Sequence, residues 1–290
     1  RPLYFLIVAC LSNVVLDLVF VLVFKMGIAG VAIASILAQA ISAVMVVMSL
    51  SAESMEYRFR FRQMRFEGDI LSRTIRIGLP AGFQSIMYSL SNMLIQASVN
   101  RFGTDTVASW VVLGKVDGIN WMILGALGIA SMTFVGQNYG AGRLDRIQKS
   151  LKLSLLIGVC ISIVFGGALL LFGWPLFGLF TSDDTVLAMS MQLLWYFAPF
   201  YWLFVPIEII SGALRGMGDT LIPTIITATG ICVFRVAWIY TVVPLHNSMF
   251  TVSLSYPISW VLTAIAFAIY YMIAVSYTHL RAHETKANLV

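Results

Sequence analysis

Apolar stretches of about twenty residues recur along the chain, at roughly 2–24, 28–50, 78–100, 106–135, 151–173, 185–212, 221–243 and 250–273. A helix rises about 1.5 Å per residue, so each stretch is long enough to cross a hydrocarbon core of about 30 Å. Within that core there is no water to satisfy backbone N–H and C=O groups, and segments of this length satisfy them internally as helices. Composition agrees: of 290 residues, 60% are hydrophobic and only 11% charged, against about 25% charged in a typical soluble domain. The sequence therefore predicts an all-α polytopic membrane protein with eight transmembrane helices, and excludes a water-soluble globule.

The net charge of +5 raises the question of nucleic acid, and the placement of the basic residues answers it. The charged stretch from Ser51 to Ile77 holds Glu53, Glu56, Arg58, Arg60, Arg62, Arg65, Glu67, Asp69, Arg73 and Arg76. With that stretch in the cytoplasm, Arg1, its six arginines, Arg143, Arg146, Lys149, Lys152 and Arg215 share one side. Lys25 and Arg101 fall on the other, with Asp105, Asp183, Asp184 and His246. Twelve cations against two is the positive-inside pattern. The basic excess is thus topological and implies no nucleic acid; anionic lipid is a further partner for the linker arginines, and an ordinary solvated loop the simpler one. Cys10, Cys160 and Cys232 lie far apart in apolar runs without metal-ligand spacing, and are expected to be buried free thiols with no disulfide framework.

The expected organisation is 1–50 as two helices of a first bundle, 51–77 as a cytoplasmic linker, and 78–274 as a six-helix bundle. Residues 275–290 are set apart. Val275 to Thr285 read VSYTHLRAHET, the translation of a sequencing-library adapter, and Asn288-Leu289-Val290 fits its continuation. On that reading His279, His283 and Glu284 form no metal site, the natural protein continues differently after Ala274, and its start lies before Arg1.

Small residues mark candidate helix contacts. Gly30, Ala34, Ala38 and Ser42 recur every four residues, and Gly114–Gly118 and Gly212–Gly216 are GxxxG pairs, expected as packing seams. Pro199 and Pro206 share one span and should kink it, freeing carbonyls that something polar must satisfy. Pro2 and Pro223 each open a helix followed by a short loop and another helix, a faint internal echo of two related bundles.

Ionisable side chains inside a bilayer cost about 2.5–3.5 kcal/mol each on insertion scales, so each calls for a reason. Asp17 follows Asn13 by one turn; Lys115 and Asp117 lie close to Asn120; Glu208 follows Pro206; Arg235 is mid-span, and Arg215 ends the sixth span. Lys115 and Asp117 are about 200° apart on a helix and do not pair with each other. An interhelical ion pair, such as Glu208 with Arg235, accounts for any single one as well as a pathway does. For the whole set a water-filled pathway is the better account. Gln84, Tyr88, Asn92 and Gln96 form a polar stripe at a spacing of four, beside Ser85, Ser89 and Ser91, and must face inward or toward another helix. Among many aromatics and methionines, Met87, Trp121, Met122, Trp195, Tyr196, Tyr201 and Trp202 serve packing or line a cavity for planar or cationic compounds.

Once the tail is set aside only His246 remains, so metal and triad chemistry lack their usual ligand and base. The chain reads as a transporter or channel with no enzymatic activity and no cofactor.

Three segments decide between these. GLPAG at Gly78–Gly82, GQNYGAGRLDR at Gly136–Arg146 and LRGMGDTLIPT at Leu214–Thr224, in this order and spacing, resemble the C-terminal bundle of the multidrug and toxic compound extrusion (MATE) family. The resemblance covers residues 1–274. It implies twelve helices in two six-helix bundles, of which this chain holds helices five to twelve. It also implies efflux of small organic cations or amphipathic drugs from a bacterial cytoplasmic membrane, by a monomer, driven by inward sodium ions or protons. One subgroup carries acids at positions that align near Tyr88 and Phe204; Glu208 stands one turn beyond the second, so that subgroup's sodium site does not carry over. Another subgroup uses an acid in a helix that, by this template, precedes Arg1. The residues expected to carry coupling and substrate are Glu208, Asp117, Lys115 and Asp17, with Arg235 as a charge partner and Gln84, Tyr88 and Asn92 on the wall. A lipid-linked oligosaccharide flippase of the same superfamily, which should have a markedly basic cavity, and a non-transporting membrane scaffold are the alternatives.

Overall fold

The computed structural model describes residues 2–52, 59–60, 62 and 65–287, with side chains described for all of these except Pro2, Arg73 and 274–287. Arg1, Glu53, Glu56 and Arg58 of the expected cytoplasmic charges lie outside the described residues. All regular structure among the described residues is helical. Two compact units divide the chain, Arg1–Ile70 and Leu71–Val290.

The first unit holds α1 (Pro2–Leu18), a π-turn at Val19–Val23 and α2 (Gly27–Ser51). The buried strip of α2 is Gly30, Ala34 and Ala38, the small-residue repeat expected as a seam. A Cβ on Gly30 would sit 3.0 Å from that of Phe20, so glycine is what lets the helices approach.

The second unit is a six-span bundle. Its spans are α3 (Gly68–Val99), α4 (Thr104–Gly140), α5 (Leu144–Gly178), α6 with α7 (Asp184–Phe197, Val205–Gly216), α8 with α9 (Leu221–Thr227, Phe234–Thr241), and α10 (Met249–Ala287). Seven helices among the described residues are long and apolar enough to cross a membrane. The eighth expected span, 78–100, lies in α3, which has 32 residues and therefore the necessary length. It falls short in hydropathy, because the Gln84–Gln96 stripe puts amides along one face.

Two spans are broken, the first where prolines remove backbone donors. Between α6 and α7 the chain tightens to a 3-10 segment, Ala198–Phe204, bounded by Pro199 and Pro206. The carbonyl of Pro199 accepts the indole N–H of Trp202 at 3.0 Å, one of the polar partners such a break requires. Between α8 and α9 a π-turn, Ala228–Val233, follows Pro223 and delivers Arg235 to the bundle interior.

The glycine motifs end helices. Gly142 and Gly218 have φ of +69° and +92°, in the left-handed region. Each completes a C-terminal turn in which the next N–H reaches back five residues: Arg143 to the Asn138 carbonyl at 2.8 Å, Asp219 to that of Leu214 at 3.0 Å. Gly212 and Gly216 of α7 meet α4 so closely that added Cβ atoms would lie 2.4 Å from the carbonyls of Gly128 and Met132. Gly114–Gly118, by contrast, is no seam: neither glycine has a neighbouring atom within 4 Å of an added Cβ, and Gly114 lines a cavity instead. A GxxxG spacing marks one helix face, and only the neighbours decide whether that face is packed.

Candidate functional site

Within the Leu71–Val290 bundle lies a cavity of about 340 Å³. Tyr88, Asn92, Ile95 and Gln96 of α3 form one wall, and Trp110, Leu113, Gly114, Asp117 and Trp121 of α4 another. Phe197, Phe204, Arg235, Tyr256 and Trp260 close it. The helical period explains the α4 set: 110, 113, 114, 117 and 121 are the i, i+3, i+4 positions of one face.

The walls are aromatic rings set edge to face. Trp121 meets Phe204 at 4.9 Å between centroids and Trp260 at 5.8 Å, and Tyr256 meets Phe197 at 5.1 Å. Such pairs contribute about 0.5–1.5 kcal/mol each beyond burial. Trp260 and Tyr201 are fully buried, which fixes the rings around the space rather than leaving them to collapse into it.

Two opposite charges are built into these walls. Asp117, buried, accepts a short hydrogen bond from the Tyr201 hydroxyl on its Oδ1. Arg235, 4% exposed, places its guanidinium 3.8 Å from the Tyr256 ring centroid and donates from Nε to Ser259 Oγ at 3.0 Å. Ser259 in turn donates to the Tyr256 carbonyl at 2.8 Å. The ion pairs among the described residues are Arg65–Glu67 and Arg143–Asp145, so neither Asp117 nor Glu208 pairs with Arg235. One turn beyond Asp117, fully buried Asn120 has no hydrogen-bond partner for either side-chain polar atom. Among the described residues no group of three or more histidine, cysteine or acidic side chains is placed to hold a metal.

The structure thus brings Asp117, Arg235, Tyr88 and Asn92 to one cavity, and Gln96 with them. Gln84 is buried elsewhere: its Oε1 accepts from Arg215 Nη2 at 3.2 Å, and Arg215 also donates to Ser211 at 2.8 Å. Glu208 is half-buried on α7 and faces α4, its Oε2 2.9 Å from where a Cβ on Gly128 would stand. The ion pair weighed for it with Arg235 does not form: Arg235 is held instead by Ser259 and the Tyr256 ring of α10. Lys115 is exposed, on the opposite side of α4 from Asp117, as the angle between them requires. Asp17 belongs to the first unit, half-buried, with one carboxylate oxygen unpartnered. Sequence reasoning did not single out Tyr256, Trp260, Trp110 or Ser259. The spacing of Tyr256 and Trp260, four apart on one helix face, was the available signal.

A helical bundle with apolar spans around a polar-aromatic cavity defines a multi-pass membrane protein. The family model described as MatE matches residues 80–241, more than half of the chain, and this chain belongs to that family. Its members are transporters, not enzymes. The chain is 28% identical over 237 residues to the probable multidrug resistance protein YoeA of Bacillus subtilis, covering 78% of this chain and 50% of that protein. To the probable multidrug resistance protein NorM of Thermotoga maritima it is 23% identical over 211 residues, covering 73% and 45%. It therefore spans about half the length of the curated relatives it matches. Among solved structures, a MOP superfamily transporter from Pyrococcus furiosus superposes with a TM-score of 0.86 at 18% identity, covering 94% of this chain and 62% of that one. A MATE protein in the bent conformation gives 0.84 at 17% identity, covering 97% and 62%. At these identities the structures establish the fold.

Proposed function

We propose that this protein is a cation-coupled antiporter that exports small organic cations or amphipathic drugs across a bacterial cytoplasmic membrane, with sodium ions or protons as the coupling ion. The observation that carries this reading is Asp117: a buried carboxylate with one hydrogen-bond donor, in an aromatic cavity, unpaired with any cation among the described residues. An ionised group so placed is expensive unless a cation or proton comes and goes. Loading from outside changes the charge of the site, and that change biases inward- and outward-open states and displaces a cationic substrate. The aromatic walls supply faces for an organic cation or planar ring. A single arginine facing a single carboxylate supports drug efflux over a flippase for lipid-linked oligosaccharides, which calls for a basic cavity.

The test is movement of an organic-cation dye in proteoliposomes holding the full-length protein, under an imposed sodium gradient and separately under a proton gradient. Ion-driven movement that falls more than tenfold in Asp117→Asn, and less than tenfold in Glu208→Gln, is the expected result. Loss in Glu208→Gln alone would move the coupling role to that residue. No movement under either gradient overturns the drug-efflux reading.

A further inference from the structure

We infer that the groove between α3 and α8 is a binding site for an anionic phospholipid, with its phosphate on Arg76 and one acyl chain lying along the groove. The groove opens on the exposed side of these helices and shares no residue with the aromatic cavity.

Two hollows meet to form it. One of about 580 Å³ is bounded by Arg76 and Pro80 of α3 and by Asp219 and Leu221. A second of about 570 Å³ shares Leu79, Pro80 and Leu221 with the first and continues to Met87 and Val233. Along α3, from Arg76 to Met87, the groove runs about 16 Å at 1.5 Å per residue. That is close to one leaflet's half of a hydrocarbon core of about 30 Å. The rims, Leu79 and Phe83 on one side and Leu221 and Ile225 on the other, are exposed, and the floor, Thr224 and Ala228, is buried. The threonine hydroxyls along it ask nothing of an occupant. That of Thr224 donates to the Thr220 carbonyl at 2.8 Å, and that of Thr229 to the Ile225 carbonyl at 2.7 Å. An apolar groove of this length suits a hydrocarbon chain, which restores the dispersion contacts an empty gap forfeits.

The end of the groove selects the headgroup. Its charged residues are Arg76 and Asp219. Asp219 is engaged: Oδ2 accepts a short hydrogen bond from the Tyr270 hydroxyl, and Oδ1 accepts the Ile222 N–H at 3.4 Å. Arg76 is exposed and forms no ion pair among the described residues. Its carbonyl accepts from the Thr220 hydroxyl at 3.4 Å, which ties this turn of α3 to the start of α8. A guanidinium offers paired N–H donors matched to a phosphate. The positive-inside pattern puts this end in the cytoplasmic leaflet, where anionic lipids gather. An ammonium headgroup would find the acid already engaged.

Native mass spectrometry of the full-length protein tests this, after incubation in detergent with equal amounts of dioleoylphosphatidylglycerol and dioleoylphosphatidylethanolamine. One phosphatidylglycerol per protein is expected to be retained, about tenfold in preference to phosphatidylethanolamine, the scale of one charge-assisted hydrogen bond. Arg76→Gln is expected to bring that preference to about one. Ile225→Trp, which fills the groove, should lower retention of both lipids. Leu171→Trp, on an exposed position of α5 outside the groove, should leave retention unchanged. Excess glycerol 3-phosphate, which has the phosphate without the chains, should not displace the lipid. No preference in the wild type, a preference that survives Arg76→Gln, or retention untouched by Ile225→Trp overturns the inference. So does displacement by glycerol 3-phosphate, or a dimer of this chain that Ile225→Trp dissociates. If a variant does not fold, the wild-type preference and the glycerol 3-phosphate competition decide.

Discussion

Asp117 and Lys115 show how much two positions on one helix can differ. The first is buried against Tyr201 and the second exposed, because a helix turns about 200° in two residues. The Tyr201 hydroxyl is the one donor Asp117 has among the described residues, and a hydrogen bond to a charged group is worth about 1.5–3 kcal/mol. Tyr201→Phe is therefore expected to weaken organic-cation binding about tenfold, read by quenching of tryptophan emission as the dye is added, while the protein stays folded. An unchanged affinity would mean that Asp117 is ordered by something other than this tyrosine. That Asp117 has a partner was legible from its chemistry alone, since a carboxylate in an apolar span demands one. That the partner is a tyrosine 84 residues away was not.

At the scale of elements, glycine spacing and proline placement predict different things with different success. Pro199 and Pro206 announced the break between α6 and α7, because a missing N–H acts through the chain's own neighbours. The two GxxxG pairs look alike in sequence and part company in the fold, where a Cβ on Gly212 would press on the Gly128 backbone and one on Gly118 would meet nothing within 4 Å. Gly212→Ala is expected to lower the thermal unfolding midpoint in detergent by several degrees, since a Cβ 2.4 Å from a carbonyl oxygen forces α4 and α7 apart. Gly118→Ala should not lower the midpoint, since its methyl group meets no atom within 4 Å and alanine favours a helix. Equal effects from the two would refute the α4–α7 seam. The polar stripe of α3 is a similar lesson: its spacing of four puts four polar residues on one face, yet Tyr88, Asn92 and Gln96 line the cavity while Gln84 joins Arg215.

At the scale of the whole molecule, the charges predict an orientation in the membrane. Arg143 and Asp184 lie at opposite ends of α5 and its following turn, and the positive-inside pattern puts the first in the cytoplasm. With Cys10, Cys160 and Cys232 replaced, a cysteine at Asp184 is expected to react with a membrane-impermeant thiol reagent on intact cells. One at Arg143 should react only after lysis; the reverse result would invert the topology. A second expectation follows from length. Since this chain spans about half of its curated relatives, residues 1–274 reconstituted alone should move no dye, and ion-driven movement by them would refute the two-bundle account. By itself the sequence determined the helical class, seven of the eight expected spans and the place where paired prolines interrupt a helix. Each of these depends on hydrophobicity and on neighbours within a turn or two, which a linear pattern records. Only the tertiary structure decided that Asp117, Arg235, Tyr256 and Trp260 share a cavity, that Glu208 does not line it, and that one glycine pair is a seam and the other is not. Those outcomes depend on the register and rotation of helices against one another. Such angles are set by many packing contacts at once, and no single stretch of sequence contains them.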